Sequence, residues 1–176
     1  MRITGGKYRG RKITCPPGEI RPAMDRMRES LFSILGNMEG DSFLDLFSGS
    51  GVVGIEAASR NASPVVLVEK DFKKKNVILG NISFVEEDIS LTLSPVERFL
   101  ERTAQRFDIV YLDPPFAYKK KDTLLNTIGS RKILSDEGIC VIHMPAEDKS
   151  PENVENLSVT DERKYGRSRL YFLQYE

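Results

Sequence analysis

Hydrophobic residues recur along most of the chain at two alternating spacings, one typical of buried strands and the other of helices. Short apolar runs rich in β-branched and aromatic residues predict five strands, at residues 42–47, 64–69, 82–86, 107–112 and 138–144. Helical spacing between these runs predicts four helices, at residues 52–60, 71–79, 94–105 and 122–128. Strands that alternate with helices favour an α/β fold with a mostly parallel sheet covered on both faces.

The two ends of the chain follow different patterns. Residues 153–162 and 169–175 predict a final antiparallel pair. Near the start, short alternating stretches at residues 7–9 and 11–13 predict a β-hairpin. Residues 23–35 then predict a helix whose apolar positions share one side, with charged residues largely opposite: Met24, Met27, Leu31, Ile34 and Leu35 against Arg26, Arg28 and Glu29. We therefore separate an N-terminal extension, residues 1–40, from a core of residues 41–176.

Length and composition exclude several classes of protein. A chain of 176 residues that is 40% hydrophobic can bury one core of ordinary domain size. The longest apolar runs span only a few residues, whereas a membrane helix needs about 18, so we expect no membrane segment. The start of the chain has no apolar signal region, which favours a cytoplasmic protein. Cys15 and Cys140 are far apart and lack a metal-ligand pattern, so we expect no metal site.

The net charge of zero conceals an uneven distribution. Residues 1–28 carry a net charge of +6, and the rest of the chain carries −6. A basic segment on an acidic body is typical of a protein that meets a polyphosphate with one face, and an ordinary solvated segment is the alternative.

The first predicted strand leads into a glycine-rich turn. Gly49, Gly51 and Gly54 have G-x-G-x-x-G spacing before a helix, which lets a ligand approach bare backbone N–H groups. Asp45 lies four residues before Gly49, where a carboxylate would repel a pyrophosphate but could pair with a cationic group. The turn therefore favours a positively charged nucleoside over a dinucleotide, with incidental glycines as the alternative.

Acidic residues at the ends of the next two predicted strands suit the rest of such a nucleoside. Glu69 ends the second strand, where one carboxylate can accept hydrogen bonds from both ribose hydroxyls. The third predicted strand runs into Glu86-Glu87-Asp88, where a carboxylate could accept from the amino group of an adenine. Solvated acidic residues are the alternative at both positions.

The tetrapeptide Asp113-Pro114-Pro115-Phe116 follows the fourth predicted strand. Ligands bind at the carboxyl ends of parallel strands in open α/β folds. The prolines donate no hydrogen bond, so an Asp carboxylate beside a backbone carbonyl makes a rigid double acceptor for a planar amino group. Phe116 adds a face on which a base can stack. A Pro-Pro stop after a strand is the structural alternative.

In this order, these residues resemble class I S-adenosylmethionine (SAM)-dependent methyltransferases that act on exocyclic amines. Three longer motifs are similar to the bacterial 16S rRNA (guanine-N2)-methyltransferase (RsmD-like) family: Arg2-Ile3-Thr4-Gly5-Gly6-Lys7-Tyr8-Arg9-Gly10-Arg11, Arg21-Pro22-Ala23-Met24-Asp25-Arg26-Met27-Arg28-Glu29-Ser30-Leu31-Phe32 and Lys164-Tyr165-Gly166-Arg167-Ser168. The likeness covers nearly the whole chain. It implies a Rossmann-like fold, with a mostly parallel seven-stranded sheet and an antiparallel last strand, behind a small hairpin and helix. The segment of residues 70–82 is shorter than is usual in the family, which predicts a truncated second helix.

The resemblance also implies the ligands and the residues that hold them. SAM, with S-adenosylhomocysteine (SAH) as product, would lie against Asp45, Phe47, Gly49, Ser50, Gly51, Gly54, Glu69, Asp88 and Ile89. Catalysis and binding of the guanine would fall to Asp113, Pro114, Pro115 and Phe116. The extension would close over the cofactor and bind RNA through Arg2, Lys7, Arg9, Arg11, Lys12, Arg26 and Arg28. The partner would be 16S rRNA or the assembling small ribosomal subunit, and we expect a monomer.

The implied reaction methylates the N2 atom of a guanine in 16S rRNA, of the guanine966-N2 type. Three other functions remain open: an adenine-N6 methyltransferase of DNA or RNA, a protein-glutamine methyltransferase, and an RNA-binding module that has lost its activity. His143, the single histidine, lies in an apolar run, where a core or strand-end role is expected. Residues 119–121, three lysines, either grip phosphates or form a solvated run.

Overall fold

The structure, a computed structural model, describes residues 1–17 and 23–176. These residues form two compact units, Met1–Ser94 and Pro95–Glu176. Arg21 and Pro22 of the second family motif, and the side chain of Ala23, lie outside the described residues. Within the described ranges, no helix is both long and apolar enough to cross a membrane.

The first unit is built on three parallel strands. These are β1 (Phe43–Leu46), β2 (Val65–Glu69) and β3 (Ile89–Leu93), in the order β3-β2-β1. Its helices are α1 (Ala23–Leu35), α2 (Val52–Ser59) and α3 (Lys75–Ile82), with a 3-10 turn at Phe72–Lys74. Every residue of β1 and β2 is buried, as their apolar sequences require.

The second unit holds four strands and two helices in its described part. Strand β4 (Phe107–Leu112) pairs in parallel with β5 (Leu134–Pro145), and β7 (Ser168–Tyr175) lies antiparallel between β5 and β6 (Leu157–Tyr165). The helices are α4 (Val96–Arg102) and α5 (Lys121–Ser130). The antiparallel last strand and the final strand pair are therefore confirmed.

The third predicted strand is wrong. Ile82 is the last residue of α3, residues 83–86 follow that helix, and β3 begins only at Ile89. Phe84 of that stretch makes a different contact: its ring packs edge-on against Tyr8 at 5.3 Å and lies under the guanidinium of Arg11 at 4.6 Å. A local apolar run cannot distinguish a strand from a loop that receives a distant segment.

The hairpin of the extension pairs different residues from those predicted. Residues 11–13 lie opposite the first three residues of the chain, with a bridge between Arg2 and Lys12 and a hydrogen bond from Ile3 N to Arg11 O at 3.0 Å. Residues 7–9, predicted as one of the two alternating stretches, lie in the turn. The isoleucine of each paired stretch, Ile3 and Ile13, is buried.

Helix α1 has the predicted bounds, but its buried face differs from the predicted one. Met27, Leu31 and Phe32 are buried, whereas Ile34 is 42% exposed. Arg28, which the pattern places on the charged side, is buried with the apolar residues. Its charge is compensated by Glu56 of α2, a partner that helical periodicity cannot reveal.

Candidate functional site

The glycine-rich turn of the first unit has an unusual backbone. Phe47, Gly49 and Gly51 all have positive φ angles, of 66°, 59° and 81°. A positive φ is unfavourable for a bulky residue such as Phe47, and such outliers concentrate at functional sites. Hydrogen bonds from Ser48 N to Val68 O at 3.0 Å and from Gly51 N to Ser48 O at 2.8 Å fix the turn beside the end of β2.

Asp45 is buried beneath this turn. Only 1% of it is exposed, and its Oδ2 atom accepts a hydrogen bond from the backbone N–H of Gly54 at 3.2 Å. Gly54 also lets α2 approach the sheet, because a Cβ atom there would lie 2.1 Å from Leu67 Cδ2. Of the predicted cofactor residues, Gly54 therefore serves the packing of the turn, and Asp45 supplies its buried negative charge.

Glu69 ends β2 and lies next to the turn. Its Oε2 atom accepts from Gly49 N and its Oε1 atom from Asp71 N, both at 2.9 Å. These bonds hold the carboxylate in one orientation and use one acceptor position on each oxygen. Lys74 Nζ lies 4.0 Å from the Oε2 atom. A carboxylate has about four acceptor positions, so these two hydrogen bonds leave two of them unused.

The predicted position of Asp88 and Ile89 is wrong. Ile89 is the first residue of β3 and pairs with Val65, whereas Glu69 pairs with Leu93 at the other end of the strand. Asp88 and Ile89 therefore lie at the opposite edge from Glu69. The residue that follows β3 at the Glu69 edge is Ser94, whose N–H donates to Glu69 O at 3.0 Å.

Sequence reasoning missed this position because it looked for a carboxylate. The available signal was the predicted start of a helix at residue 94, since a strand directly precedes a helix in a βαβ unit.

In the second unit, the predicted tetrapeptide follows β4. The side chain of Asp113 is 20% exposed, and its Oδ1 atom lies 2.8 Å from Nδ1 of His143 on β5. Pro114 is buried, while Pro115 and the ring of Phe116 are exposed. A carboxylate and an aromatic face thus reach solvent from one short turn.

The buried side chain of Lys121 stabilises the same turn. Only 7% of Lys121 is exposed, and its Nζ atom donates to Phe116 O at 3.2 Å and to Asp148 Oδ2 at 2.7 Å. Tyr118 N donates to Pro115 O at 2.8 Å. Lys121 is therefore a structural residue and not one that grips phosphates, in contrast to the exposed Lys119 and Lys120. In the described parts of the chain, no group of three or more His, Cys, Asp or Glu could hold a metal ion.

Two of the predicted RNA-binding residues are already engaged. Arg28 is 4% exposed and pairs with Glu56, so its prediction as an RNA contact is wrong. Lys7 Nζ lies 2.6 Å from Glu86 Oε2 and 3.3 Å from Glu87 Oε1. The hydrogen bond to Glu86 is the main cause that raises the pKa of Lys7.

The other predicted basic residues are exposed: Arg2, Arg9, Arg11, Lys12 and Arg26. Three of them, Arg2, Arg9 and Lys12, line a groove of about 460 Å³ in the first unit, which Asp25 and Glu29 also line.

Asn81 connects the extension to the glycine-rich turn. Its amide accepts from Thr14 N at 3.0 Å and donates to Thr14 O and Ser50 O, both at 2.9 Å. Sequence reasoning missed this residue, because a lone Asn in a short helix carries no motif. The contact places the end of the paired stretch of the extension against the turn beside Asp45 and Glu69.

A family model described as "Conserved hypothetical protein 95" matches residues 1–174. The chain belongs to this family. It is 33% identical to "Ribosomal RNA small subunit methyltransferase D" of Escherichia coli K12, over 97% of this chain and 89% of that protein. The likeness to this group that the motifs predicted is confirmed.

Solved structures place the fold in the same class. The structure of yhhF from Escherichia coli matches with a TM-score of 0.87 and 31% identity, and the match covers 100% of this chain and 98% of that one. The structure of SMU.776, complexed with SAH, matches with a TM-score of 0.71 and 17% identity, over 88% of this chain and 50% of that one. The second likeness shows the fold alone. The predicted α/β, class I methyltransferase fold is confirmed.

Proposed function

We propose that this protein transfers a methyl group from SAM to the exocyclic N2 atom of a guanine in 16S ribosomal RNA. The observation that carries the proposal is the turn at residues 113–116, which presents the Asp113 carboxylate and the exposed Phe116 ring after β4. Family relatives named for a small-subunit ribosomal RNA methyltransferase support the substrate. The guanine966-N2 type is the specific reaction that we propose.

The first unit fits SAM as the methyl donor. Asp45 and Glu69 are buried carboxylates on the two strands that flank the glycine-rich turn, and their charge suits a positively charged nucleoside. The turn, from Phe47 to Gly51, would hold the methionine part, and the two open acceptor positions of Glu69 would hold the ribose. When bound, SAM supplies a methyl group on a positively charged sulfur.

The second unit would bind the target base. The N2 lone pair of guanine is delocalised into the ring, so the amine is a poor nucleophile until acceptors draw its protons out of the ring plane. Asp113 and the carbonyl of Pro114 would accept those two N–H groups. The N2–carbon bond then forms as the carbon–sulfur bond breaks, and one N2 proton leaves. Orientation of the amine supplies most of the rate enhancement.

A base stacked within an RNA double helix cannot reach such a turn. The guanine must therefore be flipped out of the stack or lie in a single-stranded loop. Stacking on the exposed ring of Phe116 would contribute about 1–3 kcal/mol to its binding. The exposed basic residues of the extension, above all Arg9, Arg11 and Lys12, would bind the RNA backbone. The bond between Asn81 and Thr14 supports a second role for the extension, closure over the cofactor. We propose that the protein acts as a monomer.

Mass spectrometry of nucleosides tests the proposal. Small ribosomal subunits from cells that lack this activity are incubated with the protein and isotope-labelled SAM, and their RNA is digested. We expect labelled N2-methylguanosine at one site. Labelled N6-methyladenosine would replace guanine by adenine as the target, and label in protein or DNA alone would overturn the RNA substrate.

The matched control is Asp113→Ala. This variant should make no product while binding SAM as tightly as the wild type in calorimetry, because Asp113 faces the base and not the cofactor. A large loss of SAM affinity would contradict the role proposed for Asp113.

A further inference from the structure

We propose that His143 is a positioning residue that fixes both groups with which the turn at residues 113–116 receives the target base. This inference rests on the proposed function, because it assigns to Asp113 and Phe116 the roles given above. The ring of His143 contacts each of them. Its Nδ1 atom lies 2.8 Å from Asp113 Oδ1, and its centroid lies 5.6 Å from that of Phe116, with the ring planes at 70°.

The surroundings of His143 show that packing alone does not require a histidine. The residue is fully buried on β5, where Val141, Ile142 and Met144 are buried apolar neighbours. Its Nε2 atom is buried and has no hydrogen-bond partner among the described residues. An unsatisfied buried polar atom is unfavourable, and an apolar side chain would fill this position without one. The bond to Asp113 is therefore the interaction that the imidazole provides and an apolar residue would not.

That bond restricts the Asp113 carboxylate. An ionised carboxylate only accepts hydrogen bonds, so Nδ1 carries the proton and its N–H donates a hydrogen bond to Oδ1. Oδ2 is left to accept from the substrate amine in a fixed orientation. Without the donor, the carboxylate of a residue at the end of a strand can rotate about its side-chain bonds, and small errors in the position of a reacting group are costly.

The edge-to-face contact restricts Phe116 in a different way. Its ring is 42% exposed, so one side of it faces solvent while the ring of His143 contacts it from within the unit. Edge-to-face aromatic pairs are stabilised in a preferred relative orientation, so this contact restricts the orientation of the Phe116 ring. The donor of His143 thus serves Asp113, and its ring serves Phe116.

Two substitutions separate these effects. His143→Phe keeps the ring and removes the donor, so we expect kcat to fall about 10- to 100-fold while KM for the RNA changes little. His143→Asn places an amide N–H where Nδ1 stands and removes the ring, so we expect kcat within about threefold of wild type and a raised KM for the RNA. SAM affinity should not change in either variant. Thermal unfolding of both variants gives the folded fraction to which kcat is normalised.

A second measurement is independent of activity. The chain contains one histidine, so nitrogen-15 labelling of histidine gives an NMR signal from His143 alone. We expect an Nδ1–H proton protected from exchange in the wild type, and loss of that protection in Asp113→Ala.

Three results would overturn the proposal. The first is a proton on Nε2 instead of Nδ1. The second is a pair of variants whose normalised kcat and KM equal those of the wild type, which would leave His143 a purely structural residue. The third is a protected Nδ1–H in a wild-type protein that makes no N2-methylguanosine, which would refute the proposed function and the positioning role together.

Discussion

Arg28 Nε donates a hydrogen bond to Glu56 Oε1 at 3.0 Å, and both side chains are buried. The same oxygen accepts from Thr4 N at 2.7 Å, and the other oxygen of Glu56 pairs with Arg60. Glu56 of α2 therefore joins the start of the extension to α1. Arg28, which the sequence assigns to RNA binding, instead fixes the extension to α2.

Arg28→Ala should lower stability and not RNA affinity. Removing one partner of a buried ion pair leaves an uncompensated charge, which costs about 3–5 kcal/mol, and the pairing of Glu56 with Arg60 places the effect near the lower value. Urea unfolding measures the loss. Arg26→Ala is the matched control on the same helix, because Arg26 is exposed and its removal should change stability by less than about 0.5 kcal/mol. A loss of RNA affinity at unchanged stability in Arg28→Ala would restore its predicted role.

Gly6→Ala should destabilise the protein more than Gly10→Ala. Both glycines have positive φ, of 75° and 84°, so alanine is strained by about 1–2 kcal/mol at either position. At Gly6 a Cβ atom would also lie 1.9 Å from Ser59 O, whereas at Gly10 it meets nothing within 4 Å. The difference between the two free energies of unfolding isolates the contact of the extension with α2. Equal losses would show that the extension can move away from Ser59 at little cost.

These contacts mark the limit of prediction from the sequence. The glycine-rich turn, Glu69 and the turn at residues 113–116 could be predicted as candidate site residues because each carries a local signal: glycine spacing, an acid at a strand end, a rare tetrapeptide. Arg28 and Lys7 were predicted to bind RNA because charge composition does not show whether a distant acidic residue of the chain pairs with them. Glu56 lies 28 residues from Arg28, and Glu86 lies 79 residues from Lys7.

The third strand and His143 illustrate the same limit. Phe84, in residues 82–86, contacts Tyr8 and Arg11 of the extension and does not lie in a strand. The prediction that a strand ends at Asp88 is wrong for the same reason. His143 was expected to have a core or strand-end role, and it is fully buried. Its bond to Asp113 depends on the parallel pairing of β4 with β5, which sets residues 30 positions apart side by side. Local patterns do not give that register.

The stability of the first unit should fall at acid pH because Glu87 becomes protonated. Burial raises the pKa of Glu87, but hydrogen bonds from Tyr8, its own backbone and Lys7 outweigh burial and lower it below the ordinary 4.5. A carboxylate whose pKa is lower in the folded state stabilises the protein at pH values above its unfolded-state pKa. That stabilisation is lost as the pH falls through the folded-state pKa. Tyr8→Phe removes the bond from Tyr8 OH to Glu87 Oε2, which measures 2.6 Å. Urea unfolding from about pH 6 downwards should show a shallower loss in the variant. Parallel curves would exclude Glu87 as the titrating group.

Glu69→Gln should weaken SAM binding, and Asp88→Asn should not. Glutamine offers one acceptor oxygen where Glu69 offers two, so the side chain can no longer serve Gly49 N, Asp71 N and two ribose hydroxyls together. Loss of a hydrogen bond to a charged group costs about 1.5–3 kcal/mol, which corresponds to about a 10- to 100-fold lower affinity in calorimetry. Asp88 precedes β3 at the opposite edge of the strands, so its charge is too far from the glycine-rich turn to matter.

The pair of variants decides between two placements of the adenine side of the pocket. Since Glu69 pairs with Leu93, the pocket should continue along the Glu69 edge to Ser94, and Ser94→Val should lower SAM affinity by a smaller factor than Glu69→Gln. Valine at this position keeps the backbone N–H that donates to Glu69 O and changes only the side chain. If Asp88→Asn weakened binding while Ser94→Val did not, the ligand would lie across the amino ends of the strands. The roles assigned to Asp45 and to the turn from Phe47 to Gly51 would then fail as well, because they lie at the other edge.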